Sequence, residues 1–489
     1  MWSFIISLIV LVIGSFIYGK FIEKVFRPDS KAITPAISKT DGVDYVPMPG
    51  WKVYMIQFLN IAGTGPIFGA IMGAKFGPAC YLWIVFGSIF AGAVHDYFTG
   101  MMSIRDGGAG LPDIVGDHLG KRPRRVMLLF SLILLMLVGT VFVYSPALIL
   151  GDIACFMGTP KMSIMVWVFI IFAYYIIATV LPIDKIIGKI YPVFAFALLF
   201  MAIALGVCLF VKWPGIPEFW DGLQNRGPEV GLKGQNIFPC LFITVACGAI
   251  SGFHATQSPI MARCVTNETM GRPIFYGAMI TEGIVALIWA AVSSYFFFDG
   301  GMAEVGATSA QAPVVVTSVA KHWLGLAGGI LAIIGVVAAP ITSGDTAFRG
   351  VRLIIADAVK LNQKSKKNRL LVAIPIFIVG GLLLWYNIAD ENGFNNIWRY
   401  FGWANQALAA FVLWTATIFL FRHGNKHFHY LLTLIPAIFI TIVSTCYICT
   451  EKIGLNMPYW YGVGASVAVA LLISMEIMLS ERHRSKKLK

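Results

Sequence analysis

Two short stretches combine helix-breaking residues with polar side chains inside apolar runs. The first is Asn60-Ile-Ala-Gly-Thr-Gly-Pro-Ile-Phe-Gly69. The second is Gly248-Ala-Ile-Ser-Gly-Phe-His254, followed by Pro259. Gly is costly inside a helix, and Pro removes a backbone donor and clashes with the preceding turn. Each stretch therefore predicts an interrupted helix. Pro66 follows its break closely and suits the first turn of a new helix. A half-helix starting there aims N–H groups and the positive end of its dipole at the break. The natural occupant is an anionic group such as a carboxylate. Expected contacts are the backbone of Gly63, Thr64 and Gly65, with Asn60 one turn earlier. Ser251, Gly252, Phe253 and His254 form the second set. The competing explanation is that the glycines only allow close helix packing.

Ionisable residues inside apolar runs are the other candidates, because they are expensive in a membrane. His254 titrates near physiological pH when unperturbed. It could carry a coupling proton, bind a substrate carboxylate, or simply donate to a backbone carbonyl. Thr256, Gln257 and Ser258 could line the same cavity or its exit. His95 and Asp96 are adjacent, so on a helix they point about 100° apart. They could relay a proton or form a structural pair with a neighbouring helix. Thr342-Ser-Gly-Asp345 leads to Arg349. Asp345 and Arg349 are four apart, a spacing that favours an ion pair. Glu282 is a lone acid that could pair with Arg or His. Asn405 and Gln406 are amides that would seek partners. Cys446 and Cys449 form an isolated C-x-x-C within an apolar run, where packing explains them better than metal or redox chemistry.

The elements that must hold these residues follow from composition. Of 489 residues, 58% are hydrophobic and 12% charged, about half the charged share of a globular domain. Long apolar runs recur from end to end. They predict an all-α polytopic membrane protein and disfavour a barrel of short alternating strands. Thirteen spans are expected: about 2–19, 56–74, 79–103, 126–150, 163–181, 190–212, 237–257, 273–298, 323–345, 370–386, 401–421, 430–449 and 459–480. An amphipathic stretch at 312–321 could be re-entrant. The first span has no basic segment before it or small-residue cleavage motif after it, and is expected to be a retained helix.

The net charge of +13 does not point to nucleic acid. What matters is where Lys and Arg fall. With the N-terminus outside and the C-terminus cytoplasmic, the inside loops hold 29 of the 37 Lys and Arg and the outside loops hold 8. Setting the first span aside, the next ten divide into 56–212 and 237–421, five helices each. An odd number of spans inverts the second half, and each half begins with an interrupted helix. This is the pattern of a five-plus-five inverted repeat of the LeuT-like transporter architecture, with the binding site at the breaks. Residues 1–55 supply one extra helix and a cytoplasmic loop, and 422–489 supply two extra helices and a basic tail. In that architecture, hydroxyls at Thr342 and Ser343, helped by Asp345, could complete a Na⁺ site. No zinc-protease, nucleophile-elbow or P-loop motif is present, so an enzyme is not expected. No resident metal or cofactor is expected either, only a coupling H⁺ or Na⁺.

The same stretches resemble the carbon starvation protein A (CstA) family. The resemblance rests on Ala62-Gly-Thr-Gly-Pro-Ile67, Ala91-Gly-Ala-Val-His-Asp-Tyr97 with Ser103-Ile-Arg-Asp-Gly107, Ser251-Gly-Phe-His254, Ile341-Thr-Ser-Gly-Asp345 with Arg349, and Phe401-Gly-Trp-Ala-Asn-Gln-Ala-Leu-Ala-Ala410. Thr64 and His95 depart from the family's usual Ala and Gln, and the chain looks like a short branch. The resemblance implies a secondary transporter of the inner or plasma membrane that takes up short peptides or pyruvate when carbon is scarce. The expected partners are that substrate and the lipid bilayer, with oligomeric state open. An uncoupled channel, or a nutrient receptor that docks a partner on the basic loop 346–369, are the alternatives.

Overall fold

Apolar runs near twenty residues can satisfy their backbone polar groups in lipid only by coiling into helices. The computed structural model follows that rule. Among the described residues there is no strand, only an isolated bridge between Met48 and Val265. The described residues are 1–156, 164–180, 183–307, 309–363, 365–390, 393–424 and 428–487. Lys161, Lys364, Lys426 and Lys489, part of the expected charge alternation, lie outside them.

The helices are α1 (Trp2–Phe26), α2 (Gly50–Ala62), α3 (Gly65–Ala74), α4 (Ala79–Arg105), α5 (Leu111–Leu119), α6 (Lys121–Phe156), α7 (Ile164–Val180) and α8 (Ile183–Lys212). After a loop come a short α9 (237–244), α10 (Gly252–Ala262), α11 (Glu268–Phe298), α12 (Ala312–Ala358), α13 (Lys366–Ala389), α14 (Gly393–His423), α15 (Leu431–Thr450) and α16 (Tyr459–Lys487). Ten of these are long and apolar enough to cross a membrane, or eleven when α2 and α3 count as one bent span. The chain is a multi-pass membrane protein. The expected spans 163–181 and 237–257 fall on α7 and on the α9–α10 pair, which are shorter pieces.

The largest difference from expectation is α12. The stretch 312–321 forms the first helical segment of α12, divided from the second by non-helical backbone at Gly325, where φ is +66°. That helix also continues to Ala358, so it takes up half of the basic loop expected at 346–369. Arg349 and Arg352 are consequently buried.

Two sets of helices pack closely, and α2 of the second set also lies against α8 and α12 of the first. In one, α6 and α8 lie along α12, with α7 and α13 against α6 and α12. In the other, α10 packs on α4 and α2, and α11 packs on α2, α3 and α4. Beyond these, α15 covers α14 and α16 covers α15. Exposed Ile9, Ile13, Phe16 and Ile17 on α1 and Trp460, Leu471 and Leu472 on α16 present apolar surface to lipid.

The loops sort into two sets. Lys39 Nζ donates to Gly107 O (2.7 Å), Arg263 Nε to Gly108 O (2.9 Å), Arg105 Nη2 to Glu268 (3.3 Å) and Arg352 Nη2 to Asp44 (3.1 Å). Those are the basic-rich loops. The basic-poor loops meet one another instead. Glu218 accepts from the N–H groups of Trp2 and Ser3, capping the first turn of α1, and Asp299 accepts from Gly215 N–H (2.7 Å).

Asp44 ties the long first loop to α12. Its carboxylate bonds Arg352 and lies 4.0 Å from Arg349, with all three side chains buried. Removing one partner of a buried ion pair costs more than the pair itself contributes, about 3–5 kcal/mol. Asp44→Ala is therefore expected to lower the thermal unfolding midpoint of the detergent-solubilised protein clearly, as a melting curve against wild type would show.

Candidate functional site

The first break lies between α2 and α3, whose axes differ by 50°. Gly63 ends α2 with backbone angles no helix allows. Its freed N–H donates to Ser343 Oγ (3.2 Å), and Ser343 Oγ–H donates to Leu59 O (3.0 Å). One α12 hydroxyl thus serves a donor and an acceptor that the break releases. Asn60 and Thr64 are fully buried beside it. Neither side chain has a hydrogen-bond partner among the described residues. Such groups are costly unless a ligand or water meets them.

The second break lies between α9 and α10. Its carbonyls find side chains: Trp83 Nε1 donates to Val245 O, Ser88 Oγ to Gly248 O, and Gln406 Nε2 to Phe242 O. Asn405 Oδ1 accepts from Phe253 N–H (2.6 Å) and Ser251 Oγ (3.1 Å), so it caps the start of α10. A protein amide oxygen therefore stands where a substrate carboxylate was expected. The two breaks touch directly. A Cβ at Gly65 would lie 2.4 Å from Cys247 Sγ.

The ionisable residues expected from the sequence converge here. His95 Nδ1–H donates to Asp96 Oδ1 (2.7 Å), and His254 Nδ1–H donates to Asp96 Oδ2 (2.9 Å). On its other side, His254 Nε2 lies 3.3 Å from Glu282 Oε2. All four side chains are fully buried. Asp96 is acceptor-only when ionised, so both imidazoles carry their proton on Nδ1. His254 Nε2 then presents a lone pair to the Glu282 carboxylate. The pair is satisfied only when a positive charge sits between them. The arrangement can hold a proton between His254 and Glu282, with Asp96 orienting the His254 ring from behind.

The other expected groups are placed differently. Thr342 Oγ1 donates to Ala338 and Ala339 carbonyls of its own helix, and Thr346 does likewise to Thr342 and Ser343. Asp345 and Arg349 take different partners. Asp345 Oδ2 accepts from Tyr191 OH (2.7 Å), while Arg349 reaches Ala178 O (2.6 Å) and Asp44. Three residues of the site carried little sequence signal. Glu282 and Asn405 stand out in the sequence only as polar groups in apolar runs, and nothing in it singles out Cys247.

A family model described as carbon starvation protein CstA matches residues 1–166, 154–327 and 323–447. A peptide transporter CstA of Campylobacter jejuni is 27% identical over 587 aligned positions, which cover 96% of this chain and 82% of that protein. A pyruvate/proton symporter, BtsT of Escherichia coli strain K12, is 25% identical over 585 positions, covering 91% and 80%. A crystal structure of the Eremococcus coleocola manganese transporter shares the fold, with a TM-score of 0.58 at 11% identity, covering 90% of this chain and 96% of that one. The matched segments span nearly the whole sequence, both breaks and the buried His–Asp–His–Glu group included, and the chain belongs to the carbon starvation protein CstA family.

Proposed function

We propose that this transporter is a proton-coupled importer of a small carboxylate-bearing nutrient, a short peptide or pyruvate, in the inner or plasma membrane. The observation that carries the reading is the buried His95–Asp96–His254–Glu282 group at the junction of the two breaks. It gives a proton a place to sit at a helix break, with Asp96 of α4 orienting the ring that holds it. Transport of peptides by the Campylobacter relative and of pyruvate with protons by the Escherichia relative supports the substrate class and the ion.

The architecture we infer is LeuT-like: thirteen spans, N-terminus outside and C-terminus cytoplasmic, with repeats over 56–212 and 237–421 flanked by 1–55 and 422–489. Its support is the pair of breaks, between α2 and α3 and between α9 and α10, together with the sorting of basic-rich and basic-poor loops. The substrate contacts are Asn60, Gly63, Thr64 and Gly65 at the first break and Ser251, Gly252, Phe253 and His254 at the second. The orphaned side chains of Asn60 and Thr64 support the first set. Asn405 would release the α10 end as a carboxylate arrives. Rocking of one set of helices against the other would alternate access.

Sodium is the weaker alternative for coupling. Ser343 is engaged with the first break, and the Thr342 hydroxyl is spent on its own helix. A receptor docking on 346–369 keeps only part of its basic surface, because Arg349, Arg352 and Arg369 are buried while Lys360, Lys366 and Lys367 stay exposed. Labelled pyruvate and dipeptide uptake into proteoliposomes tests the proposal, with ΔpH and Na⁺ gradients imposed separately. Uptake is expected under ΔpH and not under a sodium gradient alone. Uptake indifferent to both would mean an uncoupled channel.

A further inference from the structure

Cys247, His254 and Glu282 come from three different elements: the second break, α10 and α11. One ligand atom from each lies within 4.8 Å of the other two, and all three residues are buried. A thiolate, an imidazole nitrogen and a carboxylate oxygen are the donor types that hold zinc-like cations.

The surroundings fit a cation better than the three side chains alone. Both Glu282 oxygens and His254 Nε2 lack a hydrogen-bond partner, although they face each other. The ring is oriented from behind, because Asp96 accepts from its Nδ1–H. A carboxylate on the far nitrogen is the outer-shell arrangement that fixes a metal-binding histidine and raises its basicity. Asn405 Nδ2 lies 3.6 Å from Cys247 Sγ and can donate to the sulfur. Two carboxylates, Asp96 and Glu282, share this space. Among the described residues their recorded ion-pair partners are histidines, with no Lys or Arg.

We propose that Cys247, His254 and Glu282 form a binding site for a borderline-soft divalent cation of the zinc class, with one coordination position left open. A cation there takes the place of the proton between His254 and Glu282. It also ties the second break to α10 and α11, so it arrests the transport cycle. The arrest rests on the proton-coupled reading above; the binding does not.

Cobalt(II) is the probe, because a thiolate ligand gives it a near-ultraviolet charge-transfer band. Titration of the purified full chain in detergent is expected to give a saturable band at about one equivalent. The band should vanish in Cys247→Ser and persist in Cys446→Ser. Asp96→Asn should weaken binding by roughly 10–100-fold, the usual loss for an outer-shell partner. Glu282→Gln should weaken it too, which keeps the test open if Cys247→Ser is misfolded by size-exclusion profile. No saturable band in wild type, or a band unchanged in Cys247→Ser and Glu282→Gln, overturns the site. Proton-driven uptake without a cobalt band defeats the metal site and leaves the transport reading standing. A cobalt band with uptake that ignores ΔpH does the reverse.

Discussion

Asp96→Ala is expected to reduce ΔpH-driven uptake on the order of 10²-fold or more, the scale on which a positioned proton-transfer group matters. Among the described residues, Asp96 is the only acceptor recorded for the Nδ1–H of both His95 and His254. Without it both rings are free to take the other tautomer, and the lone pair that faces Glu282 is no longer specified. Asp96→Asn is the sharper variant. Its single carbonyl oxygen can accept from one ring, while its NH₂ group confronts the other ring's N–H. The protein should stay folded and bind substrate, yet lose accumulation against a gradient. Uptake under ΔpH that survives Asp96→Asn at near wild-type rate would take Asp96 out of the coupling.

Gly252→Ala should have a large structural effect. A Cβ at that position would lie 2.3 Å from Asn405 O and 2.6 Å from Ala409 N. These are backbone atoms of α14 and cannot rotate away. The helices must separate, at an overpacking cost of about 1–3 kcal/mol, and the separation pulls Asn405 off the start of α10. A lowered melting temperature and lost uptake are expected together. Gly464→Ala on α16 is the matched control, since a Cβ there meets nothing within 4 Å. Ala also favours a helix over Gly by about 1 kcal/mol. Equal melting of Gly252→Ala and wild type would contradict the close α10–α14 contact.

Much of this site could be read from local chemistry. Gly63, Gly65 and Pro66 mark the first break because a helix cannot easily pass through them. His95, Asp96, His254 and Glu282 stand out because charge is costly in lipid. Their pairing could not be read. The bond between His254 and Asp96 joins residues 158 apart, and its geometry depends on how α10 lies against α4. Asp345 and Arg349 show the opposite case. Their four-residue spacing suggests a local pair, but Tyr191 from α8 reaches Asp345 first, and Arg349 finds Ala178 on α7. Gly325, at φ +66°, marks where the chain turns between the amphipathic stretch and the rest of α12.

The most direct test of the central claim is uptake by proteoliposomes carrying wild type or His254→Ala, each shown to be monodisperse and equally inserted. Labelled pyruvate and a labelled dipeptide are offered under ΔpH and, separately, under a sodium gradient. The predicted result is accumulation of at least one of them by wild type under ΔpH alone, and its loss in His254→Ala. Accumulation driven by sodium and retained by His254→Ala would contradict it, moving coupling to Thr342, Ser343 and Asp345 and leaving His254 a packed core histidine.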